Sequence, residues 1–374
     1  MYGKSILIHF IKKEKVLVIA AVLALISMVF IAPDAQYLSY IDFPVLGILF
    51  CLMAVVAGFK EIGVFDFIST SLIVKSKSIK LLVIFLVNCV FVSSMFITND
   101  VALIAFVPIT IGIFNLLKSN RLIFVVVMET IAANMGSMLT PIGNPQNLFL
   151  YSFYHMDILD FLKIVIPIGI IAYIIIMGIL FASKNSRLKI ALQQKQIRIE
   201  NGKTLFFYGC LFLVCVLTVL HVIDYRICIL VVLAAVIALN RKLLRKVDYG
   251  LLLTFVSFFI FVGNLERIPA IKNALSHFIT GRAFIVSVLS SQIISNVPAA
   301  MMISRFTKDA SGVLLGVNAG GLGTPVASLA SLISFKLYAG SSGSKPAKYL
   351  WVFSIYNICI LVFIAALIIL YQRV

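Results

Sequence analysis

The sequence predicts an all-α polytopic membrane protein made of two inverted-topology repeats, each with a re-entrant helical hairpin and a discontinuous transmembrane helix. Three observations predict it. Apolar runs of span length recur from end to end, basic clusters punctuate them, and one set of polar motifs appears twice in the same order.

Of the 374 residues, 62% are hydrophobic and 12% charged, and mean hydropathy is +1.13. A soluble chain carries about 25% charged residues. Runs of roughly 17–25 apolar residues, enough to cross a bilayer, leave no stretch for a soluble module. The net charge of +17 lies in short Lys/Arg clusters between those runs. No basic face interleaved with aromatics is present, so nucleic acid is not an expected partner. The bases instead set topology, because loops rich in Lys and Arg stay in the cytoplasm. The six cysteines all lie inside apolar runs without a CxxC pair, as small packing residues. The four histidines have no regular spacing, so neither zinc nor a catalytic triad is indicated.

The first repeat covers 1–182. Run 16–31 follows Lys12, Lys13 and Lys15, lacks a small-residue cleavage site, and reads as a retained first helix leaving a cytoplasmic N-terminus. Span 44–59 returns to Lys60, and an amphipathic stretch, 62–74, leads to Lys75, Lys77 and Lys80. Block 81–117 has bases on both flanks and the polar triplet Thr98-Asn99-Asp100 in its middle. A hairpin entering from the cytoplasmic side fits both facts; two full spans joined by an outer turn is the alternative. Segment 122–151 crosses outward as a broken helix, and span 161–181 returns to the most basic loop of the chain.

A linker, 183–226, holds that loop and one extra span, 205–220, which starts the second repeat from the opposite side. The second repeat, 227–374, contains spans 227–239 and 251–262, an outer-side hairpin at 283–303 split by Ser295-Asn296-Val297, a broken helix at 313–337 and a last span at 350–370. The bases flanking this second hairpin, Arg267, Lys272, Arg282, Arg305 and Lys308, run against the charge preference.

The internal match is threefold. GFKEIG, FITNDVALIAFVP and ANMGSMLTPIGNPQNLFL in the first half correspond to GNLERI, IISNVPAAMMIS and VNAGGLGTPVASLASLI in the second. The last pair shares Asn-x-Gly-x-x-x-Thr-Pro, from Asn134 and from Asn318. Inverted repeats with interrupted helices point to a midplane binding site between the halves.

The interruptions carry the chemistry. Gly136, Pro141, Gly143 and Pro145, like Gly320, Gly321, Gly323 and Pro325, prevent a continuous helix. Backbone freed at membrane depth is tolerated where it lines a cavity. Freed carbonyls such as that of Gly320, with the hydroxyls of Thr98, Ser137, Thr140, Ser295 and Thr324, suit a hard cation such as Na⁺. Opposed helix N-termini, with the amides of Asn99, Asn296, Asn144, Gln146 and Asn147, suit an anion. Asp100 either completes the cation site, carries a proton, or caps the second hairpin helix. Glu129, two turns into its span, is either functional, as intramembrane acids generally are, or a protonated packing residue. Glu61 and Glu266, at matched positions near span ends, read as interfacial.

At these motifs the chain resembles the ion transporter superfamily of arsenite permeases, sodium/proton antiporters and divalent anion:sodium symporters, and most nearly bacterial SLC13-like anion permeases. TNDVA, LTPIGNPQN and ISNVP carry the resemblance. It implies that the tips at Thr98-Asn99-Asp100 and Ser295-Asn296-Val297, and the loops from Thr140 to Asn147 and from Thr324 to Ser328, hold sodium ions and substrate. On that basis Asn99 and Asn296 serve cation and substrate alike, and Thr324 and Ser328 join the substrate contacts. Asp100 and Val297 stand where the symporters have threonine, a departure that weighs against a dicarboxylate and two-sodium coupling.

The expected function is secondary active transport of a small anion across the inner or plasma membrane, coupled to Na⁺ or H⁺. A cation/proton antiporter or arsenite-type efflux permease is the alternative. No cofactor is expected beyond coupling Na⁺. The expected partners are the bilayer, a small anionic substrate and a second copy in a homodimer. No nucleophile–base pair, metal cluster or nucleotide-binding loop points to an enzyme.

Overall fold

The computed structural model describes residues 14–68, 78–117, 119–184 and 202–371. The first half contains α1 (Lys15–Phe30), the short α2 (Tyr37–Tyr40), α3 (Phe43–Glu61), α4 (Ile79–Ile97), α5 (Asn99–Leu116), α6 (Leu122–Ser137), α7 (Pro145–Phe153) and α8 (Ile158–Ala182). After α9 (Gly202–Val219), the second half runs through α10 (Tyr225–Asn240), a 3-10 turn (Arg241–Lys246), α11 (Tyr249–Glu266), α12 (Pro269–Ile279) and α13 (Ala283–Ile294). It ends with α14 (Asn296–Ser304), α15 (Ala310–Ala319), α16 (Leu329–Ala339) and α17 (Pro346–Tyr371). Most of the basic loop after α8 and much of the expected amphipathic stretch after α3 lie outside the described residues.

Eight of the described helices are long and apolar enough to cross a membrane, or nine if the bent pair α12–α13 is one span. Their outward faces carry large apolar side chains such as Leu25, Val29, Ile174 and Val362. That is how a helix satisfies its backbone internally while meeting lipid. Helix starts are fixed by short polar caps. Asp42 accepts from Val45 N at 3.0 Å, Ser78 from Leu81 N at 3.2 Å, Asp248 from Leu251 N at 2.9 Å and Asp309 from Gly312 N at 2.8 Å. Cys51, Cys215 and Cys228 are buried on α3, α9 and α10, with the Cys228 and Cys215 sulfurs 3.9 Å apart.

The block expected at 81–117 is the pair α4–α5, broken at Thr98, and the block at 283–303 is α13–α14, broken at Ser295. In each pair the two arms pack on each other, and both arms pack along the helix that precedes the Gly/Pro break, α6 or α15. The arms differ in reach. α4 and α5, with 19 and 18 residues, each pass the length test for a span, whereas α13 and α14 have 12 and 9. α12 was not foreseen as a separate helix; it lies at 111° to α13.

The motif match extends into packing. Gly58 and Gly263 are equivalent, and each makes room for a tyrosine ring: a Cβ on Gly58 would come within 2.5 Å of Tyr208, and one on Gly263 within 2.5 Å of Tyr40. The equivalent acids are also both paired. Glu61 meets Lys246, and Glu266 meets Lys272 at 3.3 Å and Arg305 at 3.6 Å. With Arg267 on Asp34 at 2.8 Å, three of the bases that ran against the charge preference have acidic partners.

Candidate functional site

Each tip and each break form one unit. Thr98 has φ 71° and ψ 148°, and Ser295 has φ 73° and ψ 155°. These are non-glycine residues in a strained region that persists where surrounding structure holds it. The strain turns the next N–H toward the neighbouring loop. Asn99 N donates to Gly143 O at 3.1 Å, and Asn296 N donates to Ala327 O at 2.9 Å. Gly143 and Ala327 are equivalent positions, each nine residues after the motif asparagine.

Other contacts repeat in the same way. Thr140 Oγ1 donates to Met95 O, and Thr324 Oγ1 donates to Gln292 O at 3.2 Å, in each case to the residue three before the strained position. A Cβ on Gly136 would reach Ser94 Oγ at 2.5 Å, and one on Gly320 would reach Ser291 Oγ at 2.8 Å. Both glycines are therefore demanded by close approach of α4 or α13.

The two breaks also meet each other. Asn318 Oδ1 accepts from Asn144 Nδ2 at 3.2 Å, and Asn318 Nδ2 donates to Asn147 Oδ1 at 2.7 Å. In return, Asn134 Oδ1 accepts from Ser328 Oγ at 3.0 Å, and Asn134 Nδ2 donates to Ser331 Oγ at 3.4 Å and to Gly321 O at 3.3 Å. Asn99 Nδ2 adds a bond to Asn134 Oδ1 at 3.1 Å. These side chains are buried. Packing is crosswise as well: α5 lies against α16, and α14 against α7.

Four helix N-termini converge here. α7 starts at its cap Asn144, whose Oδ1 accepts from Asn147 N at 2.8 Å, and α16 follows Ser328. α5 and α14 start at the two tips. Each N-terminus carries about half a positive charge, and N-termini gathered around the same loops suit an anion.

The expected residues thus fall into two neighbouring groups. Thr98, Asn99, Asp100, Ser137, Thr140, Asn144 and Asn147 surround the first tip and break, and Ser295, Asn296, Gly320, Thr324 and Ser328 the second. Ser137 Oγ accepts from Asn144 Nδ2 at 3.1 Å, and Gly320 O from Gln292 Nε2 at 2.8 Å. Gln146 is 2% exposed and Asn296 is 3% exposed, and neither side chain makes a hydrogen bond among the described residues. Asp100 is partly exposed in the first turn of α5. It is not the cap, since Thr98 holds that position and Asp100 N donates to Asn99 Oδ1 at 3.0 Å.

Four central residues were absent from the expected site. Asn134 and Asn318 head the repeated motif, and a lone amide in an apolar helix was the available signal. Gln292 and Ser331 carry no sequence mark that separates them from ordinary span residues. Gln292 replaces Met95 at the matched position and laces its break with bonds to Gly320 O, Leu322 O at 3.0 Å and Thr324 N at 2.9 Å.

Comparison with known proteins agrees with this architecture. The profile of the family described as Citrate transporter matches residues 6–330. An uncharacterised transporter of Methanocaldococcus jannaschii is 36% identical over 296 residues, covering 78% of this chain and 80% of its own. The inner membrane protein YbiR of Escherichia coli is 29% identical over 351 residues, 91% of each chain. The silicon efflux transporter LSI3 of Oryza sativa is 31% identical over 149 residues, 40% of this chain and 30% of its own. The profile match spans most of the chain, so this multi-span protein is a transporter, not an enzyme, and belongs to the citrate transporter family.

Proposed function

We propose that the chain is a secondary active transporter of a small anion, coupled to Na⁺ or H⁺, working by alternating access around the junction of the two breaks. The observation that carries this reading is the convergence of four helix N-termini on loops cross-linked by Asn134 and Asn318. In this reading the free amides of Gln146 and Asn296 complete the anion contacts, with Asn99, Asn144, Asn147, Thr324 and Ser328 around them. The hydroxyls and carbonyls at each tip form a donor set of hard oxygens, the chemistry Na⁺ requires. Matched contacts in the two halves support an inverted repeat, with both helix pairs entering as re-entrant hairpins. The protein lies in the inner or plasma membrane with its N-terminus in the cytoplasm.

The family's name makes citrate the first substrate to try. The purified chain, reconstituted on solid-supported membranes, is exposed to citrate, succinate, phosphate and arsenite with and without gradients of Na⁺ and H⁺. Anion-induced currents that follow a cation gradient support the reading. A second reading, cation/proton exchange, is favoured by Asp100 beside the first tip. Charge movement on adding Na⁺ alone, with no response to any anion, selects it.

A further inference from the structure

We infer that Glu129 is a proton-binding site, separate from the tips and breaks, whose charge state is linked to the position of α5 against α6. Glu129 sits midway along α6, one turn and a half before Asn134, and is 0% exposed. Thr110 of α5 donates to its Oε1 at 2.5 Å, while its Oε2 has no hydrogen-bond partner. No base forms an ion pair with it among the described residues. An isolated ionised carboxylate in an apolar interior is far costlier than a neutral acid. In this packed arrangement the acid therefore holds its proton.

The repeat shows that the fold does not need this group. The position equivalent to Glu129 is Val313 of α15, also fully buried. The second half builds the same tip, break and cross-links around a valine. An acid confined to one half, with an unsatisfied oxygen, is a feature added to the scaffold.

Among the described residues, no charged side chain is bonded to Glu129. On α4 the Cys89 thiol and on α17 the Tyr349 phenol lie within electrostatic reach. Tyr349 is bonded to Ser334 of α16 at 2.8 Å, and Ser334 in turn accepts from Thr130 at 2.7 Å. On α8, Tyr173 donates to Asn88, and Lys163 pairs with the exposed Asp160. On α16, Lys336 is exposed and the Tyr338 hydroxyl accepts from Lys345 N. α15 has no titratable side chain, and α5 offers only Asp100, about 15 Å along the axis from Thr110. Moving the Thr110 end of α5 away from α6 removes the Thr110 bond and admits water to Oε2, so the O–H bond breaks, the proton passes to solvent and no other covalent bond changes. Proton affinity and helix-pair position are then reciprocal by linkage.

This site stands without the anion reading, and only its use in coupling rests on that reading. The full chain in lipid nanodiscs is titrated while the carbonyl stretch of protonated carboxylic acids is followed by infrared difference spectroscopy. A band that fades as pH rises, is missing in Glu129→Gln and is kept in Asp100→Asn is the expected result. A pH jump on solid-supported membranes, without any anion, should displace charge in the wild type and at least about fivefold less in Glu129→Gln. Glu129→Asp, which keeps the acid, should retain a titrating band at a shifted frequency, and tests the site if Glu129→Gln does not fold. A band that survives in Glu129→Gln, or one that does not change with pH, overturns the proposal. Because no anion is added, failure of anion transport leaves these outcomes intact.

Discussion

Asn134 and Asn318 exchange partners across the centre of the protein: Asn318 binds Asn144 and Asn147, and Asn134 binds Ser328 and Ser331. The partners occupy equivalent positions, so each motif asparagine reads the opposite half through the same two positions. A buried amide left without its partner costs about 1–3 kcal/mol. The loops are thereby locked to each other as well as to their own helices, and the tips follow through Asn99 and Asn296.

The tip asparagines should separate stability from transport. Asn296→Ala removes an amide with no bond and should leave the melting temperature unchanged. Asn99→Ala removes the bond to Asn134 and should lower it. Both should cut transport at least about tenfold, roughly 1.4 kcal/mol, measured as uptake into proteoliposomes. Normal transport by both variants would remove the tips from the site.

The paired glycines should be unequal. Gly263→Ala drives a methyl into the root of the Tyr40 ring, whereas Gly58→Ala meets the outer edge of Tyr208. Overpacking of this kind costs about 1–3 kcal/mol, with the larger loss expected at Gly263. Thermal denaturation in detergent checks the order, and Tyr40→Leu in the Gly263→Ala background should recover part of the loss.

Cysteine labelling tests the inverted hairpins. Lys80→Cys and Asn120→Cys flank the first helix pair and should both react from the cytoplasmic side. Arg282→Cys and Lys308→Cys flank the second and should both react from outside. Labelling of the two members of a pair from opposite sides means a full crossing. α4 and α5 are each long enough to cross, and two crossings would also leave both flanks inside, so depth decides the first pair: a spin label at Thr98→Cys should lie near the bilayer centre, and one at the outer surface means two full spans.

Asp100 should report on the coupling ion. If its carboxylate helps to hold Na⁺ at the first tip, Asp100→Asn weakens sodium stimulation of transport by at least about tenfold, roughly 1.4 kcal/mol of lost charge interaction. Sodium titrations of substrate-driven currents check this. An unchanged sodium dependence assigns cation binding to the oxygens of the second tip.

Asp42 should give stability a pH dependence of known sign. Burial raises its pKa above the ordinary carboxylate value, against the lowering effect of bonds from Val45 N and the Ser152 hydroxyl. The folded state then binds the proton more tightly than the unfolded chain. Its contribution is full below the unfolded value, about 3.9, and is lost as pH rises through the raised one. Asp42→Asn, which still caps α3, should flatten that part of the melting-temperature profile.

Much of the architecture was legible in the residues because the bilayer leaves few choices. Span-length apolar runs must be helices, and Gly and Pro at 136–145 and 320–325 must break them, as they do. The tips were visible because polar triplets inside apolar blocks are rare. The sequence by itself determined the membrane class, the apolar spans, the breaks and the repeated motifs, but not α12. Which side chain meets which across the repeat was decided by tertiary structure alone. Asn134 lies 194 residues from Ser328, and Asn144 lies 174 from Asn318. Local pattern carries no information over such separations, because these bonds exist only once helix packing brings the two breaks together. The same holds for Glu129, since an acid in a span is visible in the sequence, but only packing shows one oxygen held by Thr110 and the other left alone.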